Sequence, residues 1–167
     1  MVSSVSVSKD YLTFCAAHFL TIAGHKCESL HGHNYVVSVT VHGPIDPDTG
    51  FVVDFAVLKR ILRPVIDRMD HRVMVPRLNP KVVTSIEGTA TVVEYRGERR
   101  FVFPTSHVAL VEVTDTTAEL LAALLSGEVV RGLEAEGRRP TSVVVEVEES
   151  PGQSGRHQIR VAGGADD

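Results

Sequence analysis

The 167-residue chain has only two cysteines, no excess of basic residues and no long apolar run, and each shortage excludes something. One possible cysteine pair cannot hold together a disulfide-built miniature fold. Lys and Arg number 17 against 21 Asp and Glu, a net charge of -4. A domain that neutralises phosphates along a nucleic acid is normally basic, so no nucleic-acid partner is expected. No apolar stretch approaches the roughly 20 residues that span a bilayer, so no membrane partner is expected either. Met1-Val-Ser-Ser-Val5 has neither the basic flank nor the apolar stretch of an export signal, which makes the cytoplasm the expected location. With 43% hydrophobic and 23% charged residues, the balance is that of a soluble globular protein, and the length fits one domain. No internal repeat or low-complexity segment is evident.

Histidine is present in numbers and unevenly placed: of eight, six fall at or before position 71. A clustered residue type that binds metal or moves protons is the first functional signal. The two cysteines differ in setting. Cys15 sits in apolar Leu12-Thr-Phe-Cys-Ala-Ala17, where a thiol acts as a small hydrophobe, whereas Cys27 in Gly24-His-Lys-Cys-Glu-Ser29 is flanked by groups that favour thiolate.

The pattern predicts an α+β fold with an antiparallel sheet. Residues 2–19 read as extended, with a turn at Lys9-Asp10, and Asn34-Tyr-Val-Val-Ser-Val-Thr-Val-His42 is a β-branched strand. The turn formers of Gly43–Gly50 should lead back through Phe51-Val-Val as a hairpin. Asp54 is placed to cap a helix whose buried face runs Phe55, Leu58, Ile61, Leu62, Val65, Ile66 and Met69, with a kink or interruption expected at Pro64. Residues 82–113 read as an added hairpin, turning at Arg96–Arg99, and a strand from His107. A second helix should open at a Thr116–Glu119 capping box, and Thr141–Glu149 is the last strand. One domain therefore covers 1–150, and the Gly, Ser, Gln and Asp beyond it read as a flexible tail over 151–167.

His31-Gly-His33 places two imidazoles on one face of a strand, since side chains two apart project together, and Gly32 lets the backbone sit close. Neutral imidazole nitrogens suit zinc, and His18, at the end of the neighbouring strand, offers a third ligand. A pair of histidines on a surface strand has the same pattern. Cys27, four positions before His31, fits a proton acceptor or nucleophile near a metal, a ligand of a closed zinc site, or an inert loop thiol. Asp70-His71 pairs a carboxylate with an imidazole, as a general acid or base requires, though a helix-terminal histidine stabilised by the dipole looks the same. Glu149 shares the apolar face of Val143, Val145 and Val147, so it should meet a ligand or donor unless the strand frays there. Glu146 and Glu148 face the other way, toward solvent.

Eight segments together resemble the 6-pyruvoyl-tetrahydropterin synthase and 6-carboxytetrahydropterin synthase family. They are Phe14-Cys-Ala-Ala-His18, Gly24-His-Lys-Cys27, Cys27-x-x-x-His31-Gly-His33, Asp46-Pro-Asp-Thr-Gly50, Asp54-Phe-x-x-Leu-Lys59, Met69-Asp-His71, Thr117-Ala-Glu119 and Val147-Glu-Glu149. They fall in the family's order over residues 12–81 and 115–150. The resemblance implies a T-fold (tunnelling fold), whose subunit sheets join into a barrel, usually in a hexamer built as a dimer of trimers. It implies zinc on His18, His31 and His33, Cys27 as the proton-abstracting residue, and Asp70 with His71 as its partner relay. It implies Glu149 on the pterin ring, and Thr117 and Glu119 near the pterin, often across a subunit interface. Two departures are visible: the 82–113 insert, and Ser150 after Glu149 where threonine is usual. Three residues separate Cys27 from His31, as in bacterial 6-carboxytetrahydropterin synthases, whereas the animal 6-pyruvoyl enzymes usually carry a longer gap. The implied reaction is conversion of 7,8-dihydroneopterin triphosphate to 6-carboxy-5,6,7,8-tetrahydropterin, which feeds deazapurine pathways such as queuosine. The 6-pyruvoyl synthase reaction and a catalytically silent pterin- or zinc-binding protein are the alternatives.

Overall fold

The structure, a computed structural model, describes residues 2–8 and 11–161. Its backbone of organisation is the long strand β3 (His31–Gly43), where Tyr35, Val37, Val39 and Val41 are fully buried and the residues between them face the other way. Such alternation is what a pleated strand with one covered face requires. β1 (Ser3–Val7) and β2 (Thr13–His18) lie end to end along one edge of β3, both antiparallel to it. The Lys9-Asp10 turn expected between them falls outside the described residues. β9 (Ser142–Ser150) pairs along the other edge of β3, from Val36 opposite Glu148 to His42 opposite Ser142.

Two strands join on the far side of β2: β4 (Arg72–Pro76) and then β8 (Val108–Val111), both parallel to their neighbours. The sheet is thus mixed at this end, where antiparallel pairing was expected throughout. Parallel neighbours cannot be joined by a tight turn and need a crossover. Residues 82–104 supply it as a separate antiparallel sheet of β5 (Val82–Glu87), β6 (Ala90–Tyr95) and β7 (Glu98–Pro104). The insert therefore has one strand more than the predicted hairpin. Its β6–β7 turn is shorter than expected, only Arg96-Gly97, with φ of 54° and 80° at the two residues. Two positive-φ central residues match the right-handed twist of a hairpin. The small sheet packs through Val82, Val93 and Tyr95 onto Phe19 and Val75.

Two helices, α1 (Phe55–Asp67) and α2 (Ala118–Ala135), cover the apolar face of the large sheet. Asp54 caps α1, accepting the Ala56 N–H at 2.7 Å. The helix runs unbroken through Pro64, against expectation. Pro64 and Arg60 are both exposed, so the Arg60 carbonyl that loses its intrahelical donor can turn to water. Phe51-Val-Val forms no strand either, because the chain passes straight from Val53, buried in the core, to the helix cap.

The predicted tail is wrong over its middle. Gln153–Arg160 form β10, the outer strand of the sheet, antiparallel to β9. Gly152, at φ 78°, makes the reverse turn, and Gly155, His157 and Ile159 then face α2. A Cβ at Gly155 would lie 2.5 Å from the Ala118 carbonyl carbon and closer still to the Glu119 nitrogen. The start of α2 rests directly on this glycine, whose composition alone resembles that of a flexible tail. Residues 162–167 lie outside the described part.

Gly155→Ala should therefore destabilise the protein by about 1–3 kcal/mol through overpacking against helix backbone. Gln158→Ala, on the exposed side of the same strand, should be nearly neutral. Urea unfolding of both variants checks this, and equal midpoints would contradict the packing of α2 on β10.

Candidate metal and pterin site

The β2–β3 register places His18 directly opposite His31, with His33 opposite Ala16. His18, His31 and His33 therefore share the helix-covered face at one end of the sheet, and one ring nitrogen from each lies within 4.8 Å of the others. Gly32 permits this approach, since a Cβ there would press to 3.2 Å against the Ala16 carbonyl oxygen.

The rings are held in defined tautomers. His18 Nδ1 lies 3.0 Å from the Thr116 carbonyl oxygen and His31 Nδ1 lies 2.7 Å from that of Ser29. A carbonyl only accepts, so both Nδ1 atoms carry the hydrogen and both Nε2 atoms present bare lone pairs. Those two Nε2 atoms are 3.1 Å apart. His33 Nε2 is buried with no hydrogen-bond partner, and Glu149 Oε1 lies 3.3 Å from His18 Nε2 and 3.6 Å from His33 Nε2. The two bare lone pairs and the His33 ring nitrogen thus face one another, with the Glu149 carboxylate beside them. Burial, and next the neighbouring His31, lower the His18 pKa to about 4, so that ring is neutral near pH 7. A divalent cation suits this arrangement, and the triad is close enough to hold a metal.

Cys27 lies outside the three-histidine set, half-buried in a 3-10 turn, Lys26–Glu28. Its carbonyl accepts the Leu20 N–H at 2.8 Å, and its N–H donates to His25 Nδ1 at 3.2 Å. Ser29, two residues on, receives the His31 Nδ1–H. The thiol loop is thus tied at one end to the strand end that carries His18 and at the other to a candidate ligand.

Asp70 and His71 are elsewhere. Asp70 Oδ1 accepts the Cys15 N–H at 2.9 Å and lies 3.0 Å from His71 Nδ1, while the His71 N–H donates to the Cys15 carbonyl at 2.6 Å. These backbone bonds hold His71 at φ 56°, an unusual value for a residue with a side chain. Desolvation works to raise the Asp70 pKa, but the Cys15 N–H and the His71 ring outweigh it and hold the carboxyl below its usual range. Cys15, Ala17, Gly32 and His71 line a shallow cavity of about 290 Å³ on the sheet face opposite the three histidines. The His71 side chain is 81% exposed there. Among the described residues, no hydrogen bond or ion pair joins Asp70 or His71 to Cys27 within one chain.

Glu149 meets the donor its position calls for: the hydroxyl of fully buried Tyr35 donates to Oε1 at 3.3 Å. Burial, then the Glu149 charge, push the Tyr35 pKa far up, so the phenol stays protonated. Thr117 caps α2, its hydroxyl accepting the Leu120 N–H at 3.4 Å, and Glu119 is exposed in the first turn. The expected capping box at Thr116 is thereby corrected by one residue. The Thr116 hydroxyl instead accepts the His18 Nδ1–H at 3.1 Å and donates to the Phe19 carbonyl at 3.3 Å. Thr116, Ser29 and Tyr35 are site residues that sequence reasoning missed. Each contacts the site through a long-range pairing or a backbone carbonyl, which leaves no mark in residue type.

The 6-pyruvoyl tetrahydropterin synthase family model matches residues 6–158. A Methanocaldococcus jannaschii protein named as a 6-carboxy-5,6,7,8-tetrahydropterin synthase is 31% identical over 127 residues, covering 75% of this chain and 76% of that one. A Pyrococcus abyssi protein of the same name is 30% identical over 139 residues, covering 83% and 80%. The crystal structure of 6-pyruvoyl tetrahydropterin synthase from Plasmodium vivax superposes with a TM-score of 0.85 over 96% of this chain and 99% of that one, at 24% identity, and the sheet with its two helices is the same T-fold. No helix among the described residues is long and apolar enough to cross a membrane. With the family model spanning nearly the whole chain, and a histidine triad fit for a metal at the end of its sheet, the chain belongs to the 6-pyruvoyl tetrahydropterin synthase family of pterin-converting lyases.

Proposed function

We propose that this protein is a zinc-dependent 6-carboxy-5,6,7,8-tetrahydropterin synthase, converting 7,8-dihydroneopterin triphosphate to 6-carboxytetrahydropterin, acetaldehyde and triphosphate. The observation that carries the metal is the convergence of three imidazole ring nitrogens, two of them Nε2 atoms left bare because backbone carbonyls hold the hydrogen on Nδ1. Three nitrogen ligands and an open fourth position suit catalytic zinc. Bound there, zinc would act as a Lewis acid toward the substrate's side-chain oxygens. The choice of product is supported by the three-residue gap between Cys27 and His31 and by the names of the two archaeal relatives.

The chain's own groups then divide the work. Cys27, on a loop tied to both ligand strands, takes and returns protons at the side-chain carbons. Glu149, at the end of β9, accepts the pterin ring N–H and amino hydrogens as a fork, with the Tyr35 hydroxyl steadying the carboxylate. Asp70 and His71 lie on the opposite sheet face, so their relay to Cys27 is proposed to form between copies in a homo-oligomer, with hexamer as the expected assembly. Thr117 and Glu119, at the start of α2, are proposed as further pterin contacts across such an interface. Cys27, Asp70 and His71 are all present, which argues against a catalytically silent pterin-binding protein. The 6-pyruvoyl synthase reaction, elimination of triphosphate with the side chain retained, is the second reading, favoured by the family model's own description.

Three outcomes are expected. Purified protein incubated with dihydroneopterin triphosphate should release acetaldehyde and 6-carboxytetrahydropterin, identified by mass spectrometry; a 6-pyruvoyl product would select the second reading. Cys27→Ala should keep its zinc and lose turnover, because the thiol carries protons and is not a ligand; metal lost in step with activity would place the sulfur in the coordination sphere. Glu149→Gln should weaken binding of substrate and simple pterins alike by roughly ten- to a hundredfold, since an amide leaves one buried donor unpaired. Unchanged pterin affinity, measured by calorimetry, would move the pocket to another strand.

A further inference from the structure

Asp115 has no part in the chemistry above, and its carboxylate is nonetheless one of the most heavily bonded groups in the molecule. It lies on the segment between β8 and α2. Oδ2 accepts the Thr21 backbone N–H at 3.0 Å and the Thr21 hydroxyl at 2.6 Å, and Oδ1 accepts the Thr116 N–H at 2.8 Å. The Asn79 side-chain amide donates to Thr21 Oγ1 at 2.8 Å and to the Thr114 carbonyl at 2.6 Å. Thr21, Asn79 and Thr116 are all buried. Three segments distant in sequence therefore meet in one largely buried polar knot: the chain leaving β2, the turn before β5, and the approach to α2.

The knot ends on the metal triad. Thr116 is the residue whose carbonyl and hydroxyl both receive the His18 Nδ1–H. Its N–H is held by Asp115, and its hydroxyl also donates to Phe19, next to His18. Thr116 cannot shift without breaking a charge-assisted bond, and His18 cannot rotate without losing Thr116. The helix cap does not explain this, since Thr117 performs it.

We propose that Asp115 is a positioning residue for His18: acting through Thr116, it fixes the ring's tautomer and aim and so sets metal affinity. Outer partners of a ligating histidine typically contribute ten- to a hundredfold in affinity. The proposal rests on the metal assignment made above.

The test is zinc affinity of full-length protein, measured by competition with a chromophoric chelator, with the visible spectrum of the cobalt(II)-loaded form alongside. Asp115→Asn keeps the size but turns an NH2 toward donors, and should weaken zinc about ten- to a hundredfold with an altered cobalt spectrum. Thr116→Val keeps the carbonyl and loses only the hydroxyl, for about a two- to tenfold loss, and serves if the Asp115 variant does not fold. Glu112→Gln, an exposed acid paired with Arg77 outside the knot, should change neither reading. Lower thermal stability with unchanged zinc affinity and spectrum in both knot variants would reduce Asp115 to a structural brace and overturn the proposal. His18→Ala distinguishes the two levels: if it binds zinc as tightly as the parent, the metal assignment itself fails.

Discussion

The pairing of β2 with β3, with His18 set against His31, is the constraint on which the site depends. Two antiparallel strands in that register bring bare ring nitrogens to 3.1 Å, an arrangement that repels unless something positive lies among them. A shift of the register by one residue would send the histidines of one strand to the other face. What prevents it is the core, because Phe14 and Ala16 on β2 and Tyr35 and Val37 on β3 are buried on the same side as the triad. The apolar packing that stabilises the sheet and the geometry that gathers the ligands are one and the same alternation.

Around that pairing, each side chain is held by something outside its own strand. Thr116 reaches His18 from the start of α2, Ser29 reaches His31 from the thiol loop, and Tyr35 reaches Glu149 from the neighbouring strand. The insert takes part as well. Phe101 of β7 lies 5.0 Å, ring to ring, from Phe19, which directly follows His18. The small sheet is thus more than a decoration on a crossover, as it buttresses the strand end that carries a candidate ligand.

How much of this was legible in the sequence depended on the range of the interaction. His31 and His33 could be read from a strand's period of two, and His18 from its place at the end of a neighbouring strand, since local geometry decides where such side chains point. The cap on α1 was legible for the same reason, being an Asp54 contact two residues long. Thr116 was not, because a threonine before a helix reads as a cap and only the tertiary approach of His18 reassigns its hydroxyl to the candidate ligand. β10 escaped because its covered face offers Gly155, His157 and Ile159, of which one alone is strongly apolar, so a strand under a helix carries a tail's composition. The parallel pairing of β4 and β8 escaped because residues 77–107 separate them and no local pattern records which strands become neighbours. The separation of Asp70 and His71 from Cys27 was equally hidden, since adjacency along the chain says nothing about which sheet face a turn presents.

The central claim is that three imidazole nitrogens, and no sulfur, hold the metal. X-ray absorption at the zinc edge of the loaded protein measures the ligand atoms directly. The account predicts an imidazole shell at about 2.0–2.1 Å and no sulfur near 2.3 Å. A sulfur shell at that distance, or zinc without imidazole neighbours, would contradict it.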